Sequence, residues 1–167
     1  MHNCFLLLGS NQGNRVENLS RAMHVIRNKI GKIHRVSAIY ETEAWGFESK
    51  QHFYNMVIST ETELGATEAL RKILEIETAL GRQRKNNGGY TSRLIDIDIL
   101  FFNDEIIDDP QLQIPHPRLH QRMFTLMPLM EVSPKKIHPV FGKPISELIN
   151  QCTDKLMVKK IGDITKE

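Results

Sequence analysis

Two periods of apolar residues run through this chain, and the places where one gives way to the other mark its elements. Asn3 to Leu8 is a short apolar run closed by Gly9-Ser10-Asn11, which predicts a strand and a turn. From Val16 to Ile30, Leu19, Met23, Ile26 and Ile30 recur at helical spacing, and Gly31 is the expected stop. Lys32 to Thr42 reads as one strand, with Val36, Ala38 and Tyr40 alternating, and Ala44 to His52 as a loop. Phe53 to Thr62 is rich in Val, Ile and Thr and predicts another strand. Thr67 is the expected N-cap of a helix that runs to about Leu80 and closes at Gly81. Arg82 to Ser92 has no apolar period and holds Asn86-Asn87-Gly88-Gly89, so a long loop is expected. Leu94 to Phe102 is a strand, and Met123 to Met130 a short helix.

The order strand, helix, strand, strand, helix, strand predicts an α+β fold. It is expected to be a ferredoxin-like antiparallel sheet with helices packed on it, plus short C-terminal additions. At 167 residues the chain suits a single domain, expected over 1–155, with 156–167 as a mobile C-terminal tail.

The run Ser92 to Phe102, SRLIDIDILFF, breaks its own apolar pattern. Alternation places Ile95, Ile97, Ile99 and Phe101 on one face and Leu94, Asp96, Asp98 and Leu100 on the other. Aspartate is depleted in strands, and a buried carboxylate needs a partner. Positions i and i+2 lie roughly 6.5–7 Å apart along a strand. Carboxylates at that spacing can converge on a pair of divalent ions, which in two-metal sites sit roughly 3.5–4 Å apart. All-oxygen ligands favour Mg²⁺, with phosphate completing its shell. A half-exposed strand that carries Asp twice is the plainer alternative, but Leu94 and Leu100 on the same face argue against a simply wet surface.

Cations stand beside this strand. Arg82, Arg84, Lys85 and Arg93 are four cations in a segment without an acid, a composition suited to a polyphosphate. Glu77 occupies a helical stripe with Leu70, Leu74 and Gly81 where an apolar residue is expected, and could face a pocket from its rim. Gly142-Lys143-Pro144 lacks the spacing of a phosphate-binding loop. Phe53 and Asn55 share a strand face, a ring for stacking beside an amide for hydrogen bonding, which suits a flat heterocycle; Phe124 could supply the opposing ring. His116 and His120 are four apart, but intervening prolines and the lack of a third ligand argue against zinc.

Composition narrows the classes. The net charge of +2 does not favour nucleic acid, and an RNA-binding sheet would not present two aspartates to phosphates. Cys4 and Cys152 lie far apart and predict reduced thiols, and the N-terminal apolar run is too short for a signal or a membrane span. A cytoplasmic protein that binds small molecules, without a membrane or nucleic-acid partner and as a monomer, is the expectation.

At this point the sequence strongly resembles the hydroxymethyl-dihydropterin pyrophosphokinase family over residues 3 to about 150. The resemblance rests on Leu8-Gly9-Ser10-Asn11, Tyr40-Glu41-Thr42 before Trp45-Gly46, Phe53-Tyr54-Asn55, Gly81-Arg82-Gln83-Arg84, Arg93-Leu94-Ile95-Asp96-Ile97-Asp98-Ile99, Ile114-Pro115-His116-Pro117 and Arg122-Met123-Phe124. It implies a folate-pathway enzyme that moves the terminal diphosphate of ATP onto the hydroxymethyl group of a reduced pterin and releases AMP. By resemblance, Asp96 and Asp98 would hold two Mg²⁺ ions, and Arg82 and Arg93 would steady the transferring diphosphate. Arg84, Lys85, Tyr90, His116 and Arg122 would serve ATP, with Leu70, Glu77, Ile99, Gln111 and Gln113 lining the nucleotide side. The pterin would lie between Phe53 and Phe124, bounded by Thr42, Glu43, Trp45, Asn55 and Asp96. Gly89-Tyr90-Thr91-Ser92-Arg93 departs from the family's usual Gly-Pro ahead of the arginine.

Overall fold

The computed structural model describes residues 1–43, 51–81 and 94–164. In chain order the elements are β1 (His2–Ser10), α1 (Arg15–Lys29), β2 (Gly31–Val36), β3 (Ile39–Thr42), β4 (Phe53–Thr62), α2 (Ala66–Ala79) and β5 (Asp96–Phe102). They are followed by a hairpin of β6 (Ile107–Asp109) and β7 (Leu112–Ile114), then α3 (Met123–Val132), α4 (Ile145–Gln151) and β8 (Val158–Gly162). The main sheet runs β5-β1-β4-β3-β8, with β2 also paired to β4, and among the described residues these strands pair antiparallel. This is the expected α+β, ferredoxin-like arrangement.

The sheet separates two cores. Leu6, Leu8, Met56, Ile58, Ile97 and Ile99 pack with Leu19, Met23 and Ile26 of α1 and with Ile73 and Ile76 of α2. Phe5, Leu7, Val57, Leu100 and Phe101 pack on the opposite face with Leu126 and Leu129 of α3 and Leu148 of α4. Each fully buried aliphatic side chain contributes roughly 1.5–3 kcal/mol by leaving water. Burial also pushes the Cys4 thiol up to about 12 although Thr60 bonds to it, so this cysteine behaves as a core side chain.

Several local expectations are corrected. The single strand expected over Lys32–Thr42 is two strands, because Ser37 interrupts it: its N–H donates to the Val57 carbonyl and its hydroxyl accepts from the Val57 N–H. Gly31 opens β2 rather than adopting a left-handed stop, and a Cβ there would lie 2.0 Å from the Glu61 carbonyl oxygen. Helix α2 starts after Gly65, one residue before Ala66, and Thr67 lies inside it. Phe101 leaves the face of Ile95, Ile97 and Ile99 because β5 carries a bulge against Phe5 and Leu6; Leu100 and Phe101 both join the α3-side core.

The chain does not leave the fold after residue 155. Strand β8 pairs with β3 from Val158 opposite Thr42 to Gly162 opposite Ile39, and Lys160 reaches Glu131 of α3 at 3.4 Å. Two alternating apolar residues in VKKIG are too few to signal a strand until a partner edge is known.

Candidate active site

A row of paired residues crosses the sheet near its polar end. Asp96 stands opposite Gly9, Gly9 opposite Asn55, and Asn55 opposite Tyr40. Residues paired across antiparallel strands share a face. The Tyr40 hydroxyl bonds to Glu131 of α3, so this face looks toward α3. Two positions along β5, Asp98 stands opposite Leu7, which is opposite Val57; both partners are buried in the α3-side core. Asp96 and Asp98 therefore lie side by side, half-buried, where that core gives way to polar residues.

Gly9 keeps the row open. A Cβ there would come within 2.7 Å of Asn55 Oδ1, so the amide of Asn55 lies over the bare glycine backbone. The Asn55 Nδ2 group donates to Thr42 Oγ1 at 3.2 Å, which fixes the amide plane. Asn55 and Thr42 are both buried, a satisfied polar pair in a dry setting. Phe53, opposite Thr42 and two residues before Asn55, shares this face and is half-buried. Phe124, in the first turn of α3, is half-buried against the same core. The structure thus brings Asp96, Asp98, Asn55, Thr42 and Phe53 together on one sheet face, and the helix packed on that face carries Phe124. Glu43 follows β3 and is exposed.

The outer edge of β5 carries a second group. The buried carboxylate of Glu77, 3 % exposed, accepts the Ile97 N–H at 3.3 Å. Its place on an apolar helical stripe is explained by that hydrogen bond to an edge strand, in the interior rather than at a rim. The His116 N–H donates to the Leu100 carbonyl at 3.0 Å and ties the next segment to the same edge. Leu70 packs against the α2-side core, and the Ile99 side chain is buried in it. Gln113 is exposed on β7, and Gln111 sits in the hairpin turn, where its N–H donates to Asp109 Oδ1 at 2.9 Å.

His116 is electrically distinctive. Burial, with the charges of Arg122 and Arg118 beside it, pushes its pKa down to about 4. It is neutral at pH 7, and its Nδ1 accepts the Arg118 N–H at 3.2 Å, which leaves Nε2 as the donor. The Arg122 guanidinium lies 5.4 Å from the Phe124 ring centre. A neutral donor beside two guanidinium groups favours an anion. Sequence reasoning singled out His116 and Arg122 but missed Arg118, which carried no signal besides its charge. It also missed Tyr40 and Glu131, whose hydrogen bond links β3 to α3; burial and that carboxylate push the tyrosine pKa upward.

Trp45, Arg82, Arg84, Lys85, Tyr90 and Arg93 lie outside the described residues. Among the described residues no three His, Cys, Asp or Glu side chains gather as a metal site, and no helix is long and apolar enough to cross a membrane.

Comparison with known proteins gives the same reading. The family model described as 7,8-dihydro-6-hydroxymethylpterin-pyrophosphokinase matches residues 5–134. A 2-amino-4-hydroxy-6-hydroxymethyldihydropteridine pyrophosphokinase of Aquifex aeolicus is 40% identical over 147 residues, covering 88% of this chain and 90% of that protein. The Porphyromonas gingivalis protein of the same name is 43% identical over 142 residues, covering 84% and 96%. The fold also matches the crystal structure of wild-type Plasmodium falciparum HPPK-DHPS, with a TM-score of 0.72 and 21% identity over 90% of this chain; this chain spans 44% of that one. With most of its length matched at this level, the chain belongs to the 7,8-dihydro-6-hydroxymethylpterin-pyrophosphokinase family.

Proposed function

We propose that this chain transfers the terminal diphosphate of ATP to the hydroxymethyl group of 6-hydroxymethyl-7,8-dihydropterin and releases AMP. Pyrophosphokinase activity on the hydroxymethyl pterin, a step of folate biosynthesis, follows from membership of the family. The observation that carries the residue-level reading is the row Asp96–Gly9–Asn55 on the α3-facing side, with Phe53 beside it and Phe124 on the helix opposite.

The acceptor ring is proposed to stack between Phe53 and Phe124, with Asn55 and Thr42 at its polar edge and Glu43 and Trp45 at the border. The hydroxymethyl oxygen then bonds to the β-phosphorus of ATP. The bond from that phosphorus to the oxygen bridging the α-phosphate breaks, AMP leaves with that oxygen, and the hydroxyl proton passes to water. Such transfers depend on alignment and charge neutralisation more than on a covalent nucleophile.

Asp96 and Asp98 suit Mg²⁺: they are neighbouring, half-buried, all-oxygen donors that leave room for phosphate and water in a hard cation's shell. They are proposed to hold two ions, which when bound would neutralise phosphate charge. Arg82 and Arg93 are proposed to steady the diphosphate in transit. His116, Arg122, Arg84, Lys85 and Tyr90 are proposed to contact ATP, and Leu70, Glu77, Ile99, Gln111 and Gln113 to shape its side of the site. The neutral His116, donating through Nε2, suits a phosphate oxygen. A monomer in the cytoplasm is the proposed setting.

The test is the nucleotide product. With ATP, Mg²⁺ and the pterin alcohol, chromatography should show AMP formed in step with pterin diphosphate. Formation of ADP alone would place this chain with a phosphoryl transferase and overturn the proposal.

A further inference from the structure

Helix α3 begins without a cap of its own. Arg122 at the N-cap makes no side-chain capping hydrogen bond, and the first turn holds no acid. The missing acceptor comes from elsewhere in the chain. Asp154, 31 residues away, accepts the Met123 N–H on Oδ2 at 3.0 Å. Its other oxygen, Oδ1, accepts the Leu156 N–H at 2.9 Å. The carboxylate is thereby held by its own segment while it holds the helix.

That segment is anchored on both sides of Asp154. Before it, the Cys152 N–H donates to the Ile149 carbonyl at 3.2 Å, and Cys152 packs on the α3-side core. After it, β8 pairs with β3, placing Val158 opposite Thr42, and Lys160 meets Glu131. One stretch of about ten residues therefore touches both Thr42, which fixes Asn55, and the turn that carries Phe124. Met123 is the immediate neighbour of Phe124, so the Asp154 contact sets the height and rotation at which α3 presents the ring.

We propose that Asp154 is a positioning residue for pterin binding, acting through the first turn of α3 on Phe124. The proposal rests on the reading that Phe124 stacks on the pterin. The experiment keeps the two apart by measuring Phe124→Ala, Asp154→Ala and Asp154→Asn together. Calorimetry reads binding of 6-hydroxymethylpterin and, separately, of a non-hydrolysable ATP analogue, with thermal unfolding and circular dichroism alongside. Asp154→Ala should weaken the pterin by up to roughly fivefold, the limit reached if the whole free energy of one helix-start acceptor is felt at the ring, and the nucleotide by less than about twofold. Asp154→Asn, which keeps one acceptor oxygen where the carboxylate uses two, should recover only part of the loss and leave pterin binding roughly twofold weaker than wild type. If Phe124→Ala weakens the pterin but Asp154→Ala does not, the positioning role is wrong and the stacking stands. If Phe124→Ala leaves pterin binding intact, the stacking itself fails. Equal losses for both ligands, with Asp154→Asn no better than Asp154→Ala, would reduce Asp154 to general stability and overturn the proposal. Should Asp154→Ala not fold, Asp154→Asn decides: a loss confined to the pterin supports the role, and wild-type binding refutes it.

Discussion

On one face of β5, Ile97 and Ile99, with Ile95 just before the strand, are sealed into the α2-side core; on the other, Asp96 and Asp98 stay half-buried at the border of the α3-side core. The same seven-residue strand supplies both. Because alternation is fixed by the backbone, each carboxylate is held by the isoleucines on either side of it. Packing on one face thus sets carboxylate position on the other, and the two can be perturbed separately. Changes on the isoleucine face should cost stability, and changes on the aspartate face should cost chemistry.

The largest expected effect is on turnover. Asp96→Ala or Asp98→Ala should each lower kcat by roughly 10³-fold or more, the scale of losing a metal-held charge, with an unchanged circular dichroism spectrum. Near-normal rates in both variants would erase the contrast between the faces. Next comes the core. Leu6, fully buried and paired with Ile99, should cost about 2–5 kcal/mol when changed to Ala, read from urea unfolding, while the folded fraction retains its kcat. A smaller and sharper effect is expected at Gly9. The methyl group of Gly9→Ala would force the Asn55 amide aside and break its bond to Thr42, weakening pterin binding roughly tenfold with little change for nucleotide. Equal loss for both ligands would mean that the sheet itself had shifted.

The smallest expected effect is a pH dependence of stability. His116 and His138 are both pushed down to about 4, chiefly by burial and then by neighbouring positive charge. His138 stacks on Phe141 at 4.3 Å, and its Nδ1 accepts the Val140 and Phe141 N–H groups, both at 3.2 Å, so it is held neutral. On acidification the unfolded chain takes up these protons first, near the ordinary histidine value of about 6.5. The histidine contribution is therefore complete above that value, declines as pH falls from about 6.5 to 4, and changes no further below. Urea midpoints at pH 7.5 and 5.5 should differ in that direction, and by less in His138→Gln.

Much of this was legible beforehand because it rests on short-range rules. Helical spacing located α1 and α2, and β-branched content located β4 to the residue. Alternation placed Asp96 beside Asp98 and Phe53 beside Asn55, as the sheet has them. What escaped depends on partners distant in sequence. The bulge that moves Phe101 across β5 lies in an unbroken apolar run, where no polar residue marks the change of face. Strand β8 exists because β3 offers an edge, and Glu77 is buried because Ile97 offers an N–H. The close approach of Asn55 to Gly9 likewise needs the register of β1 against β4. The cation-rich segment lies outside the described residues, and its part in the site stands on composition and family resemblance.

The aspartate face of β5 is proposed to dock the nucleotide through metal ions. Calorimetric titration of a non-hydrolysable ATP analogue, with and without Mg²⁺, into wild type and the Asp96→Asn, Asp98→Asn double variant tests it most directly. Mg²⁺ should tighten binding to wild type by at least about tenfold and do almost nothing for the double variant; an undiminished Mg²⁺ effect in the double variant would contradict it.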